Sequence, residues 1–313
     1  MTHLNTPSLA HGQDRLLRSA LLGNSFFSAL CGLVMLAAPE TVGSWLGLSV
    51  TWVYRGLGVG LLLFAADLLH QATRPRMASW RGLYASFADF AWVGCTGLLL
   101  VFVPHWFSLE GIVLLAGVAA VVLACGIFQF WGVKHLHQLS HSPDHYRHCV
   151  LIEVNVAAAG MWETIAQLGE ISRFMPALKY SSIRDNRIPG EGCVRQCEDQ
   201  TGKQWAEECT LFDPQSRSVV FQFLCDEPGF PFPATAMRGG WKVNPIGTNS
   251  CEVMVWWEMV PKPQWLAPVL LPLLALQVDR DFPQMIARMA ANKDKYANDT
   301  TASKAVRLAP RFC

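Results

Sequence analysis

Charge is almost absent from the first 133 residues of this chain and dense in the rest, so the chain has to satisfy two different solvents. Met1 to Val133 carries 6 Lys/Arg and 5 Asp/Glu, whereas the remaining 180 residues carry 19 of each. Residues 19–38 and 111–133 hold no charged side chain, and 56–73 and 82–109 hold one each, Asp67 and Asp89. Runs of about 20 apolar residues match the hydrocarbon thickness of a bilayer. In lipid such runs must be helical to satisfy their own backbone. The pattern predicts four transmembrane helices, near 19–38, 56–73, 83–104 and 111–133, in a membrane domain over residues 1–134. A mean hydropathy of +0.24 is high for a purely soluble chain and agrees with this.

The placement of Lys and Arg sets an expected orientation. Arg15 and Arg18 precede the first span, Arg74, Arg76 and Arg81 lie between the second and third, and Lys134 follows the fourth. The positive-inside bias then places the N-terminus and everything after Lys134 in the cytoplasm, on an inner (plasma) membrane. The first span imitates the start of a signal peptide, but Met35-Leu36-Ala37-Ala38 lacks the small-x-small cleavage pattern, and the span is expected to stay. Seven cysteines follow the spans, an odd number without paired CxxC spacing, which suits free thiols in a reducing compartment.

Little in the membrane part reads as catalytic. Asp67 and Asp89 are expected near the cytoplasmic helix ends, within reach of the interface, His70 or the loop arginines. Ala116, Ala120 and Ala124 recur every fourth position and are expected to form a helix-packing face. Residues 135–147 form a His-rich linker. His137, His141 and His145 would share a face if the segment were helical, and that spacing would suit a transition-metal site. Pro143 interrupts such a helix and no further ligand completes the set, so a polar juxtamembrane linker is the preferred reading and no metal is favoured.

Beyond the linker the period changes to that of a mixed fold. Val150, Ile152, Val154 and Val156 alternate with more polar neighbours, as in a strand with one apolar face. A short helix over 157–168 and a further turn over 170–175 follow. Strands are then predicted at 178–184, 193–199, 205–212, 218–225, 235–243 and 251–260, separated by turn chemistry such as Pro189-Gly190, Thr201-Gly202-Lys203 and Pro228-Gly229. A final helix places Phe282, Met285, Ile286 and Met289 on one face. The uncharged stretch 265–277 is too short to span a bilayer and is read as the first turns of that helix, with Pro268 and Pro272 kinking or delaying it.

One strand, two short helices, six strands and a long helix form an order that resembles the polyketide cyclase/dehydrase and lipid-transport superfamily, the START-related helix-grip domains. The local matches are Val154-Asn155-Val156-Ala157-Ala158-Ala159-Gly160-Met161-Trp162-Glu163-Thr164-Ile165, Ile171-Ser172-Arg173-Phe174-Met175-Pro176, Gly240-Trp241-Lys242-Val243-Asn244-Pro245 and the strand from Cys251 to Met259. The membrane part resembles uncharacterised bacterial four-span proteins. The resemblance implies a seven-stranded antiparallel sheet around the C-terminal helix, here over 148–293, followed by a polar tail over 294–313. It also implies an apolar pocket for a lipid, sterol, polyketide or similar molecule. The expected class is thus membrane α-helical plus an α+β helix-grip domain.

A curved sheet cannot pack fully against one helix, and the residual concavity is a ligand site by default. Tyr180, Trp205, Glu207, Arg238 and Trp257 are the pocket candidates, although a one-residue shift in register would turn any of them outward. Among acids and bases, Glu153, Glu207, Glu208 and Glu258 opposite Arg173 or Arg238 could serve a cyclase or dehydratase, but no nucleophile triad or phosphate loop is visible. Binding or transfer of a hydrophobic small molecule or lipid beside the bilayer is therefore preferred. An enzyme of the cyclase/dehydratase kind and a ligand-sensing interaction module remain as alternatives. No cofactor and no nucleic-acid partner is expected, and the transmembrane helices offer a surface through which a second copy of the chain could pack.

Overall fold

The computed structural model describes residues 14–139, 142–292, 294 and 307–308. Two compact units divide at the end of the fourth long helix, between Leu136 and His137. The first contains α1 (Arg15–Ala37), the short α2 (Pro39–Leu46), α3 (Thr51–Thr73), α4 (Ser79–Phe102) and α5, which runs from Leu109 to His137. α1, α3, α4 and α5 are each long and apolar enough to cross a membrane.

This unit has the polarity expected when lipid is the solvent. Phe26, Leu63, Val101, Leu109 and Val113 are exposed, while Asn24, Ser25, Ser28, Gln71, Ser86, Asp89 and Gln129 are buried. With little hydrophobic drive between helices in lipid, close packing and interhelical hydrogen bonds hold the bundle. Ser25 Oγ donates to the Ala65 carbonyl at 2.8 Å, joining α1 to α3. The same two helices cross at Gly32 and Gly58, where a Cβ on either would lie 2.8–2.9 Å from the other's carbonyl oxygen.

Two expectations for this unit need correction. Ala116, Ala120 and Ala124 are exposed, and the packed face of α5 carries Gly111, Val122, Gly126, Gln129, Gly132 and Val133 instead. Asp67 does pair with Arg81, at 3.5 Å, but among the described residues Asp89 pairs with no arginine. It lies in mid-helix, roughly 12 Å along the axis from Arg81 at 1.5 Å per residue, and bonds to Asn24 and Gln129.

The second unit is an antiparallel sheet gripping one helix. Its strands are β1 (Gln138–Leu139), β2 (Ser142–Val154), β3 (Leu178–Ile183), β4 (Val194–Asp199), β5 (Gln204–Asp213), β6 (Ser218–Phe223), β7 (Ala234–Gly247), β8 (Ser250–Pro261) and β9 (Arg307–Leu308). Their spatial order is β1-β2-β8-β7-β6-β5-β4-β3, with β9 on β2. α6 (Ala158–Ile165) and a 3-10 turn (Leu168–Arg173) follow β2, and α7 (Ala267–Ala290) is the gripped helix. Pro268 sits in the first turn of α7, where its missing N–H costs nothing. Pro272 is accommodated inside the helix rather than delaying it.

Met285 and Ile286 of α7 are fully buried with Val150, Ile152, Val253 and Val255 of the sheet, and Leu271 is fully buried with Tyr146, Trp257 and Met259. Each such side chain contributes about 1.5–3 kcal/mol on burial. β2 reaches back to Ser142, so most of the stretch read as a polar linker is strand. His137 ends α5, His145 is exposed on β2, and His141 lies outside the described residues, as does most of the 294–313 tail; the three histidines do not line one helix. Cys149 is disulfide-bonded, a correction to the expectation of free thiols throughout. The other eight cysteines among the described residues are free.

Candidate functional site

Alternation along the strands decides what the concave face of the sheet presents to α7. β4 points Arg195 and Cys197 inward, β5 Trp205 and Glu207, β6 Phe221 and Phe223, β7 Met237 and Trp241, and β8 Val255 and Trp257. α7 supplies Leu274, Val278 and Phe282 from the opposite side. The helix is tied to β2 by His148 Nε2 and Asp279 Oδ1, 2.9 Å apart. Between helix and sheet remains a cavity of about 430 Å³. Its walls are aromatic in several places: Trp205 meets Phe232 edge to face at 5.1 Å, and Trp241 tilts against Phe282 at 6.1 Å.

One buried ion pair breaks this apolar lining. Arg195 and Glu207 are directly opposed on β4 and β5 and almost wholly buried. Arg195 Nε donates to Glu207 Oε2 at 3.1 Å, and its Nη2 donates to the same oxygen. Trp205 Nε1 donates to Glu207 Oε1 at 2.6 Å. Arg195 Nη1 donates to the Leu168 carbonyl at 3.3 Å, and the guanidinium lies 3.9 Å from the centre of the Phe221 ring. Burial, reinforced by the charge of Glu207, pushes the neighbouring Cys197 thiol up to about 12. It therefore remains a neutral apolar wall at physiological pH.

The sequence candidates divide by strand face. Trp205, Glu207 and Trp257 line the cavity. Tyr180 and Arg238 do not. Tyr180 is more than half exposed on β3, after a register irregularity between Leu178 and Tyr180. Arg238 lies on the convex face of β7, where its Nε donates to Glu258 Oε2 at 2.5 Å. Glu258 is held from the other side by Arg147 Nε, also at 2.5 Å, and both guanidiniums lie over the Trp256 ring. β7 likewise has an irregularity between Ala234 and Ala236, just before Arg238. Each irregularity inverts the faces assigned by simple alternation.

Arg195 went unnamed in the sequence reading although a signal existed. A hairpin centred on Thr201 pairs residue 195 with residue 207, so the turn chemistry of Thr201-Gly202-Lys203 carried the ion pair implicitly. The aromatic contribution of the 230–232 loop had no comparable signal.

Residues 150–292 match the family model described as polyketide cyclase / dehydrase and lipid transport. No curated protein matched the chain. Among solved structures, norcoclaurine synthase from Thalictrum flavum, a point mutant in complex with a transition-state analogue, is 19% identical over 47% of this chain and 96% of that one, with a TM-score of 0.37. The protein XoxI from Bacillus cereus is 14% identical over 47% of this chain and 94% of its own, at 0.37. A protein from Thermobifida fusca is 20% identical over 50% of this chain and 99% of its own, at 0.40. Over residues 150–292 the chain is thus similar to the polyketide cyclase / dehydrase and lipid transport family, and this part folds as an antiparallel sheet gripping a long C-terminal helix.

Proposed function

We propose that the helix-grip domain holds a hydrophobic small molecule between α7 and the sheet, and that the four apolar helices anchor it in a membrane from which the molecule is taken or to which it is delivered. The observation that carries the reading is the aromatic-walled cavity of about 430 Å³. That volume suits a compact apolar ligand. Catalysis is the weaker reading. Both oxygens of Glu207 are already engaged, by Arg195 and Trp205, so the carboxylate is fixed in the cavity wall as the partner of the buried guanidinium.

Two observations bear on orientation and point in opposite directions. Six Lys/Arg near the helix ends favour a cytoplasmic domain, whereas the disulfide at Cys149 favours an oxidising compartment. We adopt the cytoplasmic orientation because it rests on three separate segments, the N-terminal end of the first span, the loop between the second and third, and the end of the fourth. A reporter fused after the last residue and active only in the periplasm overturns it.

The binding reading is tested on the full chain in lipid nanodiscs. Bound apolar molecules are extracted and identified by mass spectrometry, in parallel with a V278W variant whose indole fills the cavity. A species retained by the wild type and lost from the variant supports the proposal. Equal retention by both, at the level of bulk lipid, overturns it.

A further inference from the structure

Away from the cavity, the apolar four-helix unit contains a buried polar cluster that ligand binding in the grip domain does not use. Asn24 on α1 and Gln129 on α5 both donate through their amide nitrogens to Asp89 Oδ2 on α4, at 2.8 and 3.0 Å. Ser28 Oγ donates to Asn24 Oδ1 at 3.1 Å. Each of these side chains is at least nine-tenths buried, and Gln129 has no exposed surface. The close approach of α5 to α4 at this point depends on Gly126, where a Cβ would lie 2.9 Å from the Phe90 ring and 3.2 Å from Asp89 Cβ.

The charge of this cluster is unbalanced. Lys, Arg and His are absent from residues 19–54, 82–104 and 106–133. From α1 the carboxyl meets Asn24, which is itself bonded to Ser28, and neither carries a charge; Asp67 of α3 is already paired with Arg81. An uncompensated carboxylate deep in an apolar medium is strongly disfavoured. Independently, Gln129 Oε1 is a buried acceptor with no hydrogen-bond partner, although the amide nitrogen of the same head group touches Asp89.

An excess negative charge and an orphaned acceptor call for the same missing component, a positive charge or a donor seated among these oxygens. We propose that Asn24, Ser28, Asp89 and Gln129 form a site for one monovalent cation, a proton or a sodium ion, inside the four-helix unit. A proton on Asp89 turns the carboxyl into a donor that the Gln129 carbonyl can accept after rotation of its amide. A sodium ion instead draws the Asp89, Asn24, Ser28 and Gln129 oxygens toward itself, all of them hard oxygen donors.

The test uses the full chain in nanodiscs of uncharged phospholipid. Thermal unfolding is followed while NaCl replaces choline chloride at constant ionic strength, and infrared spectra are recorded on the same samples. A midpoint that rises with each tenfold step in sodium, and loses that dependence in D89N, identifies sodium. Sodium independence together with a protonated-carboxyl band that disappears in D89N identifies a proton. If D89N does not fold, Q129M serves instead, because removal of the carbonyl acceptor shifts the band or weakens the sodium response. Sodium independence with no protonated-carboxyl band in the wild type leaves Asp89 charged and unaccompanied and overturns the proposal.

Discussion

Arg195 and Glu207 stand opposite each other across the β4–β5 ladder and together form the buried charged pair in the wall of the cavity. Taking two charges out of water is repaid only when the geometry is good and both remain present. Glu207→Gln or Arg195→Met alone is expected to destabilise the protein by about 3–5 kcal/mol, because each leaves a buried charge unmatched. The double variant R195M/E207L is expected to recover most of that loss. Denaturant unfolding of the full chain, followed by tryptophan fluorescence, closes the cycle; additive losses would show that the two residues do not act as a pair.

Filling the cavity separates binding from folding. Val278→Trp projects an indole from α7 into the space between helix and sheet. It is expected to weaken binding of an apolar fluorescent probe by at least about tenfold, or 1.4 kcal/mol, while far-ultraviolet circular dichroism keeps its shape. Unchanged probe affinity would place the binding surface elsewhere.

The convex face offers the matching control. Arg238 points away from the cavity and is half exposed, so Arg238→Ala is expected to leave probe affinity unchanged and to cost no more than about 1 kcal/mol. Glu258→Gln is expected to cost more, since Glu258 is buried beneath both Arg147 and Arg238. Loss of binding in R238A would contradict the assignment of strand faces.

Three core thiols predict how stability responds to alkali. Burial pushes Cys197 and Cys209 up to about 12 and Cys251 up to about 11. In the unfolded chain the same groups ionise near pH 8.5, so the unfolded state loses its protons first. Their contribution is therefore fully present below about pH 8.5 and is lost as pH rises toward 11–12. Unfolding midpoints measured from pH 8 to 11 should fall, and Cys197→Ala should flatten part of that slope. At pH 8 these thiols should resist iodoacetamide until the chain is denatured.

Secondary structure in both units was largely readable because periodicity and turn residues act locally. Pro189-Gly190 and Thr201-Gly202-Lys203 separated strands that the structure places close to their expected bounds, and the uncharged runs marked the long helices. Strand faces were harder to read. A register irregularity before Tyr180 and another before Arg238 turn these side chains to the convex face, and such irregularities answer to tertiary packing more than to local propensity. The depth of Asp89 was hidden for a similar reason: its partners Asn24 and Gln129 are 65 and 40 residues away in sequence. The stretch before Val150 read as a linker because its polar residues lie on the exposed end of β2.

The sheet order also sets a timetable for synthesis. Every pairing from β3 through β8 joins consecutive strands, but β2 pairs with β8, and Tyr146 lies opposite Met259. More than a hundred residues separate those two positions, so at about 5–20 residues per second β2 leaves the ribosome roughly 5–20 s before its partner does. During that interval the strand carrying Val150, Ile152 and Val154 has no β8 to cover it and is the segment most in need of protection from other chains.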